Sequence, residues 1–168
     1  AQEYVVATPY DDEINRLSRN IDDTRMYYGT NEEREVNYIK KAKSMEVYDT
    51  GSSTANSSRA GYKQSKAGQK VAYGSQEIIS DYDNGKLELD KIKDEKLPEN
   101  LKGKTLEEKE LLVKEMSDKR KADNKKLKAL LKQKRSYVQK KASESTEKLS
   151  FSKEVSGVMK KQANKKEL

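Results

Sequence analysis

The amino-acid sequence predicts a mainly α-helical protein made of elongated helices, one of them long and highly charged, preceded by a short N-terminal strand. Three observations predict this fold class. Only 32% of the 168 residues are apolar and 39% are charged, so any core is thin. Residues 105–143 contain neither Gly nor Pro, which permits one uninterrupted helix. Apolar residues elsewhere recur three and four positions apart, as on one face of a helix.

The N-terminal region, residues 1–29, predicts a strand followed by a helix. The β-branched run EYVVA at residues 3–7 is typical of a strand. Thr8 and Pro9 then supply an N-cap and a first helical position, and Gly29 is expected to end the helix. One stripe of this helix is apolar, and its members are Tyr10, Ile14, Leu17, Ile21 and Tyr28.

Residues 30–74 predict a second helix and a polar segment. Thr30 and Glu33 form a capping-box pattern that opens a helix to about Tyr48. The apolar residues expected to face inward are Val36, Ile39 and Val47. From residue 50 to 74, Gly, Ser, Ala and Lys dominate, and this composition indicates either a linker or a weak helix.

The region from residue 75 to 104 predicts a short helix and an anchored connection. Ser75 is placed to cap a helix that contains Ile78 and Ile79, and the residues Asp83 to Gly85 are expected to stop it. The connection that follows is extended or forms one irregular turn. Apolar residues expected to pin it to a core are Leu87, Leu89, Ile92, Leu97 and Leu101.

The C-terminal region predicts one long helix and a shorter one. Thr105 and Glu108 form a second capping-box pattern, and the helix that they open is expected to reach about Ser143. Its apolar residues cluster at two ends that flank a polar, exposed stretch at 117–126: Leu111, Leu112, Met116, then Leu127, Leu130, Leu131, Tyr137 and Val138. A last helix at about 152–164 is expected to bury Val155, Val158 and Met159, with Phe151 packed before it.

Composition excludes several kinds of chemistry. The chain has no Cys and no His, so thiolate nucleophiles, disulfides, imidazole-ligated metals and His-based acid–base catalysis are absent, and no metal or cofactor is predicted. No apolar stretch approaches the roughly 18 to 20 residues of a membrane span, and the chain is expected to be soluble. The net charge of +7 is uneven: residues 1–84 hold 11 Lys/Arg and 14 Asp/Glu, and residues 85–168 hold 25 and 15.

Three short motifs resemble functional sites without meeting their requirements. Asp49 to Ser53 spells the aspartic-protease pentapeptide DTGSS, but it occurs once and lacks flanking strands, so it predicts turn chemistry and no catalytic residue. Residues 81–92 begin like a calcium loop but have Gly at position 5 and Ile at position 12. The triplet from Asn56 to Ser58 fits an N-glycosylation acceptor, which a Ser-rich stretch produces by chance.

The basic stretch from Lys119 to Arg135 suggests an anionic partner. Lys and Arg along a helix can displace the counterions of phosphates, but this stretch holds no aromatic residue to stack on bases. A coiled-coil arm is therefore favoured over nucleic-acid recognition. A basic helical module that binds nucleic acid or an anionic surface is kept as the alternative function.

Three stretches in order carry a family resemblance: residues 3–29 with Thr-Pro-Tyr-Asp, residues 75–120 with Leu-Pro-Glu-Asn-Leu, and residues 126–141 followed by 151–166. They resemble the C-terminal half of bacterial von Willebrand factor type A (vWA) domain proteins. The resemblance implies that residues 1–29 are the end of a vWA domain, 30–74 a helix and polar linker, and 75–168 a helical tail. It transfers no metal-adhesion residue, because Gly51 stands where the Asp-x-Ser-x-Ser motif needs its first Ser. It also implies a periplasmic or cell-surface location.

Together these features predict a non-enzymatic protein-interaction or scaffold region. Its expected partner is a protein, either the remainder of a vWA domain or a larger complex. Polar helices gain little from propensity alone and persist when an apolar face docks. The residues expected to dock, on one another or on the partner, are Ile14, Leu17, Ile21, Leu97, Leu101, Leu127, Leu130 and Leu131.

Overall fold

The computed structural model describes the backbone of residues 6–166 and the side chains of residues 6–153 and 155. Within that part of the chain it is mainly helical, as the sequence predicts. The six α-helices of the described residues are α1 (Asp11–Asp23), α2 (Asn31–Thr50), α3 (Ser53–Lys63), α4 (Lys66–Tyr73), α5 (Ile78–Asp83) and α6 (Leu106–Lys166). The chain divides into two compact units, Ala1–Leu131 and Lys132–Leu168.

The predicted N-terminal strand is not supported. Residues 3–5 of that prediction lie outside the described residues, and Val6 and Ala7 are not in a strand. The first helix is also shorter than predicted. It begins after Tyr10, not after a Thr8 cap, and Thr8 instead donates its backbone N–H and its hydroxyl to the Asp11 carboxylate.

Helix α1 ends at Asp23, six residues before Gly29. It ends there because backbone groups of the following residues form hydrogen bonds with distant segments and not within the helix. Thr24 turns its hydroxyl back to the Ile21 carbonyl at 2.6 Å. Residues 26–28 then run beside residues 76–78: Ile78 N–H donates to the Met26 carbonyl at 2.7 Å, and Tyr28 N–H to the Gln76 carbonyl at 3.1 Å. A short antiparallel pairing therefore replaces the last predicted turn.

The first unit has two apolar clusters. One joins α1 to α3 and to α6, and its buried members are Ile14, Leu17, Ile21, Ala60, Leu127 and Leu131. The other gathers α5, the connection after it and α6, and its buried members are Met26, Ile78, Ile79, Leu89, Leu97, Leu101 and Val113. Both clusters hold residues that the sequence predicted to be buried, and Leu130 packs at the edge of the first.

The sequence predicts either a linker or a weak helix for residues 50–74, and in the structure they form the two helices α3 and α4. Ser52 caps α3 through the N–H of Ala55, and Ser65 caps α4 through the N–H of Gly68. The two helices approach closely at Gly68, where a Cβ would lie 2.1 Å from the Tyr62 carbonyl oxygen. Only glycine fits this contact without a backbone shift.

Helix α5 is as short as predicted, but its cap is Glu77 and not Ser75. The connection to α6 contains two short 3₁₀ turns, Leu89–Lys91 and Asp94–Lys96. The apolar residues of this connection are anchored as predicted, since Leu97 and Leu101 are fully buried.

Helix α6 differs from the prediction in three ways. It begins at the predicted Thr105 cap, whose hydroxyl accepts from Glu108 N–H at 3.2 Å, but it continues to Lys166 with no break near Ser143. Its polar stretch at 117–126 is not uniformly exposed, because Ser117 and Arg120 are buried. Residues expected to be buried but found exposed are Leu111, Phe151 and Val155, and the side chains of Val158 and Met159 lie outside the described residues.

Over residues 6–166, no helix combines the length and the apolarity that crossing a bilayer requires.

Candidate interaction surfaces

A buried ion pair lies at the centre of the first unit. Glu77, only 1% exposed, accepts a charge-assisted hydrogen bond from Arg120, which is 4% exposed. Glu77 also accepts from the backbone N–H groups of Met26 at 3.0 Å and Ser80 at 3.0 Å. The carboxylate thus joins α5, α6 and the segment after α1 at one point. Buried charges are tolerated when they are paired and hydrogen-bonded in this way.

The Arg120 guanidinium is held on two further sides. Its Nε donates to the Thr24 hydroxyl at 2.8 Å, and its centre lies 4.3 Å from the ring centroid of Tyr73. Tyr73 also contacts the segment after α1, because its carbonyl accepts a hydrogen bond from the Tyr27 hydroxyl at 2.7 Å. The polar residues of α6 that the sequence placed in solvent therefore organise the interior.

A second buried polar group links α1, α2 and α3. The Asp22 carboxylate accepts from the Tyr48 hydroxyl and from Lys63 Nζ at 2.8 Å. Tyr48 in turn lies 2.7 Å from the Ser18 hydroxyl. Burial raises the pKa of the Tyr48 hydroxyl, and the neighbouring Asp22 charge raises it further. The Tyr48 hydroxyl is therefore a proton donor to Asp22 throughout the physiological pH range.

Alkaline pH should release a related contact at Tyr28. Its hydroxyl donates to Asp81 at 2.7 Å, and burial first, then this hydrogen bond, raise its pKa to about 12 from 10.0. Since the unfolded state ionises first, the stability from this contact is fully present below about pH 10 and is lost as pH rises to about 12. Burial also raises the pKa of other tyrosines, Tyr48 among them, so we expect Tyr28→Phe to reduce the late phase of tyrosinate absorbance by the amplitude of one tyrosine. An unchanged titration in Tyr28→Phe would contradict the assignment.

Helix α2 docks through its polar residues. Arg34 donates to the Gly29 carbonyl at 2.9 Å and the Glu95 carbonyl at 2.6 Å, and Lys41 donates to the Asp23 and Arg25 carbonyls at 2.9 and 3.0 Å. Arg34 is buried. The inner face of α2 is thus a row of cations and hydroxyls that bind backbone carbonyls and carboxylates of the neighbouring segments.

The outer face of α2 carries three apolar residues among charged ones, and the prediction that these apolar residues face inward is wrong. Val36 is 52% exposed and Ile39 is 48% exposed, and Val47 is also exposed. These three residues lie on one side of the helix at a spacing of three and eight positions, opposite Arg34 and Lys41. We call Val36, Ile39 and Val47 the α2 stripe. It is an apolar surface on a helix whose opposite face is firmly bound.

A second exposed apolar feature is a groove of about 450 Å³ between α3 and α4. Its walls include Tyr62 and Val71, both exposed, and Arg59 and Lys63 line the same groove. Residues 53–73 contain four basic residues and no acidic residue, so the side chains of α3 and α4 around this groove carry a net positive charge.

The residues predicted to dock lie mainly in the interior. Ile14, Leu17 and Ile21 of α1 meet Leu127 and Leu131 of α6 in one cluster, and Leu97 and Leu101 belong to the other. They contact one another within this chain, and Leu130 is half-buried beside them. Whether any of them also binds a partner stays a prediction. Sequence analysis missed the α2 stripe, although a helix with Arg34 and Lys41 on one side and Val36 and Ile39 on the other carries the signal.

The three short motifs occupy ordinary structural positions. Asp49 and Thr50 end α2, Gly51 and Ser52 connect it to α3, and the Asp49 carboxylate pairs with Arg19 at 2.7 Å on the surface. In the calcium-like segment, Asp83 accepts from the Ser117 hydroxyl at 2.8 Å. Asn56 of the glycosylation triplet is buried and donates to the Val47 carbonyl at 3.2 Å.

Comparison of the chain with protein-family models, curated proteins and solved structures finds no match. The vWA resemblance therefore stays a prediction that rests on residues 3–29, 75–120, 126–141 and 151–166.

Proposed function

We propose that this chain is a non-enzymatic protein-interaction or scaffold region, as the C-terminal part of a vWA-domain protein. The observation that carries the proposal is the α2 stripe. Exposed apolar residues that lie together often mark an interaction site. Val36 and Ile39 lie one turn apart on the exposed side of a helix whose polar face is used internally. The resemblance implies a protein partner, such as the remainder of a vWA domain or a larger complex, and a setting in the periplasm or at the cell surface.

The interior supports a scaffold role because it fixes the orientation of α2. Arg34 and Lys41 bind four backbone carbonyls of neighbouring segments, and Tyr48 binds the buried Asp22 carboxylate. A surface held in this way loses little conformational entropy on binding, which favours association.

Site-specific photo-crosslinking in the native cell tests the proposal. With p-benzoylphenylalanine in place of Ile39, we expect a discrete protein adduct that the additional substitution Val36→Glu abolishes. The same crosslinker in place of Lys114, an exposed residue of α6 away from the stripe, is the matched control and should give no such adduct. Absence of an adduct from position 39 would contradict an interaction through α2.

The alternative function is a basic helical module that binds nucleic acid or an anionic surface. In its favour, Lys121, Lys125 and Lys128 of the first unit are exposed, whereas Arg120 is withdrawn by its pairing with Glu77. If this function operates, fluorescence anisotropy should detect binding to DNA or RNA at low salt. Affinity should fall steeply as salt rises, and Lys125→Ala should reduce the salt slope by about one. No binding to either nucleic acid at low salt would eliminate the nucleic-acid form of this alternative.

A further inference from the structure

Val36 and Ile39, the first two residues of the α2 stripe, lie between charges of opposite sign along the helix, and Val47 lies beyond the basic residues. Glu32 and Glu33 lie in the first turn of α2, and Lys40 and Lys43 lie two to three turns later; all four are exposed. At 100° per residue, Glu32 and Lys43 fall on the same face as Val36 and Ile39, and Glu33 and Lys40 fall on one side of it. Over residues 32–43 the exposed face is therefore acidic, apolar and basic in that order along the helix, and the exposed residues Glu46 and Val47 follow.

A surface with this order is complementary to itself when one copy is reversed. An interface with twofold symmetry brings the same patch of both copies together, so every contact occurs twice. With the axis between Val36 and Ile39, Val36 of one copy lies against Ile39 of the second copy. Glu32 then lies opposite Lys43 of the second copy, and Glu33 lies near Lys40. No like charges among these four residues are placed opposite one another.

Resting on the proposed interaction function, we infer that the partner of the α2 stripe is a second copy of this chain, bound through an antiparallel α2–α2 contact. The apolar pair supplies the affinity, because Val36 and Ile39 lose their exposure to water on both copies. The ion pairs fix orientation and register, since exposed ion pairs add little affinity while like charges brought together oppose the wrong arrangement.

The parallel arrangement is disfavoured by the same residues. It would bring Glu32 and Glu33 of one copy beside those of the second, and Lys40 and Lys43 beside their own counterparts. One helix pair covers less surface than a standard protein interface, so the association is weak and reversible. It fits a contact that forms where the chain is locally concentrated.

Sedimentation equilibrium of the full chain at increasing concentration tests the inference. We expect a reversible monomer–dimer equilibrium whose dissociation constant rises about tenfold or more in Val36→Ser/Ile39→Ser. All these residues are exposed, so circular dichroism should show an unchanged helical content. The matched control carries Lys66→Glu and Lys70→Glu on α4, which should leave the equilibrium unchanged.

Charge reversal separates this contact from any other self-association. One variant carries Glu32→Lys and Glu33→Lys, and the other carries Lys40→Glu and Lys43→Glu. Each alone should be more monomeric than the parent chain, and an equimolar mixture should restore a dimer that contains one of each. A parent chain that stays monomeric to about 1 mM would overturn the inference. So would a dimer whose dissociation constant is the same in the parent chain, the serine variant and the charge variants.

The crosslinking experiment distinguishes this failure from failure of the proposed function. An adduct of the chain with itself at position 39 supports both. An adduct with a different protein supports the interaction function and overturns the second-copy inference. Absence of any adduct removes both.

Discussion

Replacing Glu77 by Gln should lower the free energy of unfolding by about 3–5 kcal/mol, the usual cost of breaking a buried ion pair by removing one partner. The substitution keeps the shape of the side chain but leaves the buried Arg120 guanidinium without its counter-charge. The Met26 and Ser80 N–H groups donate to different oxygens of the Glu77 carboxylate, and Gln replaces one of these acceptors with an NH2 group that can only donate. Urea denaturation followed by circular dichroism measures the change.

The matched control for this prediction is Glu88→Gln. Glu88 pairs with Lys91 at 2.7 Å, but both side chains are exposed, so the change should lie within about 0.5 kcal/mol. Equal effects of Glu77→Gln and Glu88→Gln would show that the Glu77–Arg120 pair does not hold α5 to α6.

The double substitution Leu97→Ser/Leu101→Ser should abolish the cooperative fold of the first unit. Both leucines are fully buried in the cluster that joins α5 to α6. Removing each buried side chain costs about 2–5 kcal/mol, and a domain of this size is stable by only about 5–15 kcal/mol in total. We expect loss of most of the helical signal and of the melting transition, with the single variants Leu97→Ala and Leu101→Ala giving intermediate midpoints.

Exposed leucines of α6 provide the control for this second prediction. Leu106 and Leu111 are both exposed near the start of the same helix. Leu106→Ser/Leu111→Ser removes the same number of methylene and methyl groups, yet it should shift the midpoint only slightly. A melting curve for the Leu97/Leu101 variant like that of this control would contradict the anchoring of the connection before α6.

The parts of the fold that could be predicted are those where one physical signal acts alone. Ile14, Leu17 and Ile21 form an apolar stripe with no competing polar interaction, and they are buried together. Thr30 and Thr105 each cap a helix within a four-residue pattern, so their effect needs no distant partner. Local sequence is sufficient in such cases.

Other parts depended on distant residues that no local pattern contains. Arg120 is surrounded by charged residues and is predicted to be exposed, but Glu77, Thr24 and Tyr73 meet it from three other segments. The early end of α1 has the same origin, because the residues after Asp23 pair with residues 76–78. Neither set of partners is visible until the chain is folded.

The candidate surface was missed because apolar residues of a helix are normally assigned to its inner face. In α2 the inner face is polar, and Arg34, Lys41 and Tyr48 find carbonyl and carboxylate acceptors there. The apolar Val36 and Ile39 are consequently left outside. Conversely, the leucines predicted to bind a partner are used within the chain.

The orientation of α2 is the central claim, and cysteine labelling tests it directly because the chain contains no native Cys. Val36→Cys and Asn37→Cys place a thiol at adjacent positions about 100° apart around the axis of α2, one exposed and one buried. At concentrations where the chain is monomeric, Val36→Cys should react with a maleimide nearly as fast as the unfolded chain, and Asn37→Cys should be protected. Protection of Cys at position 36 with rapid labelling at position 37 would contradict the account.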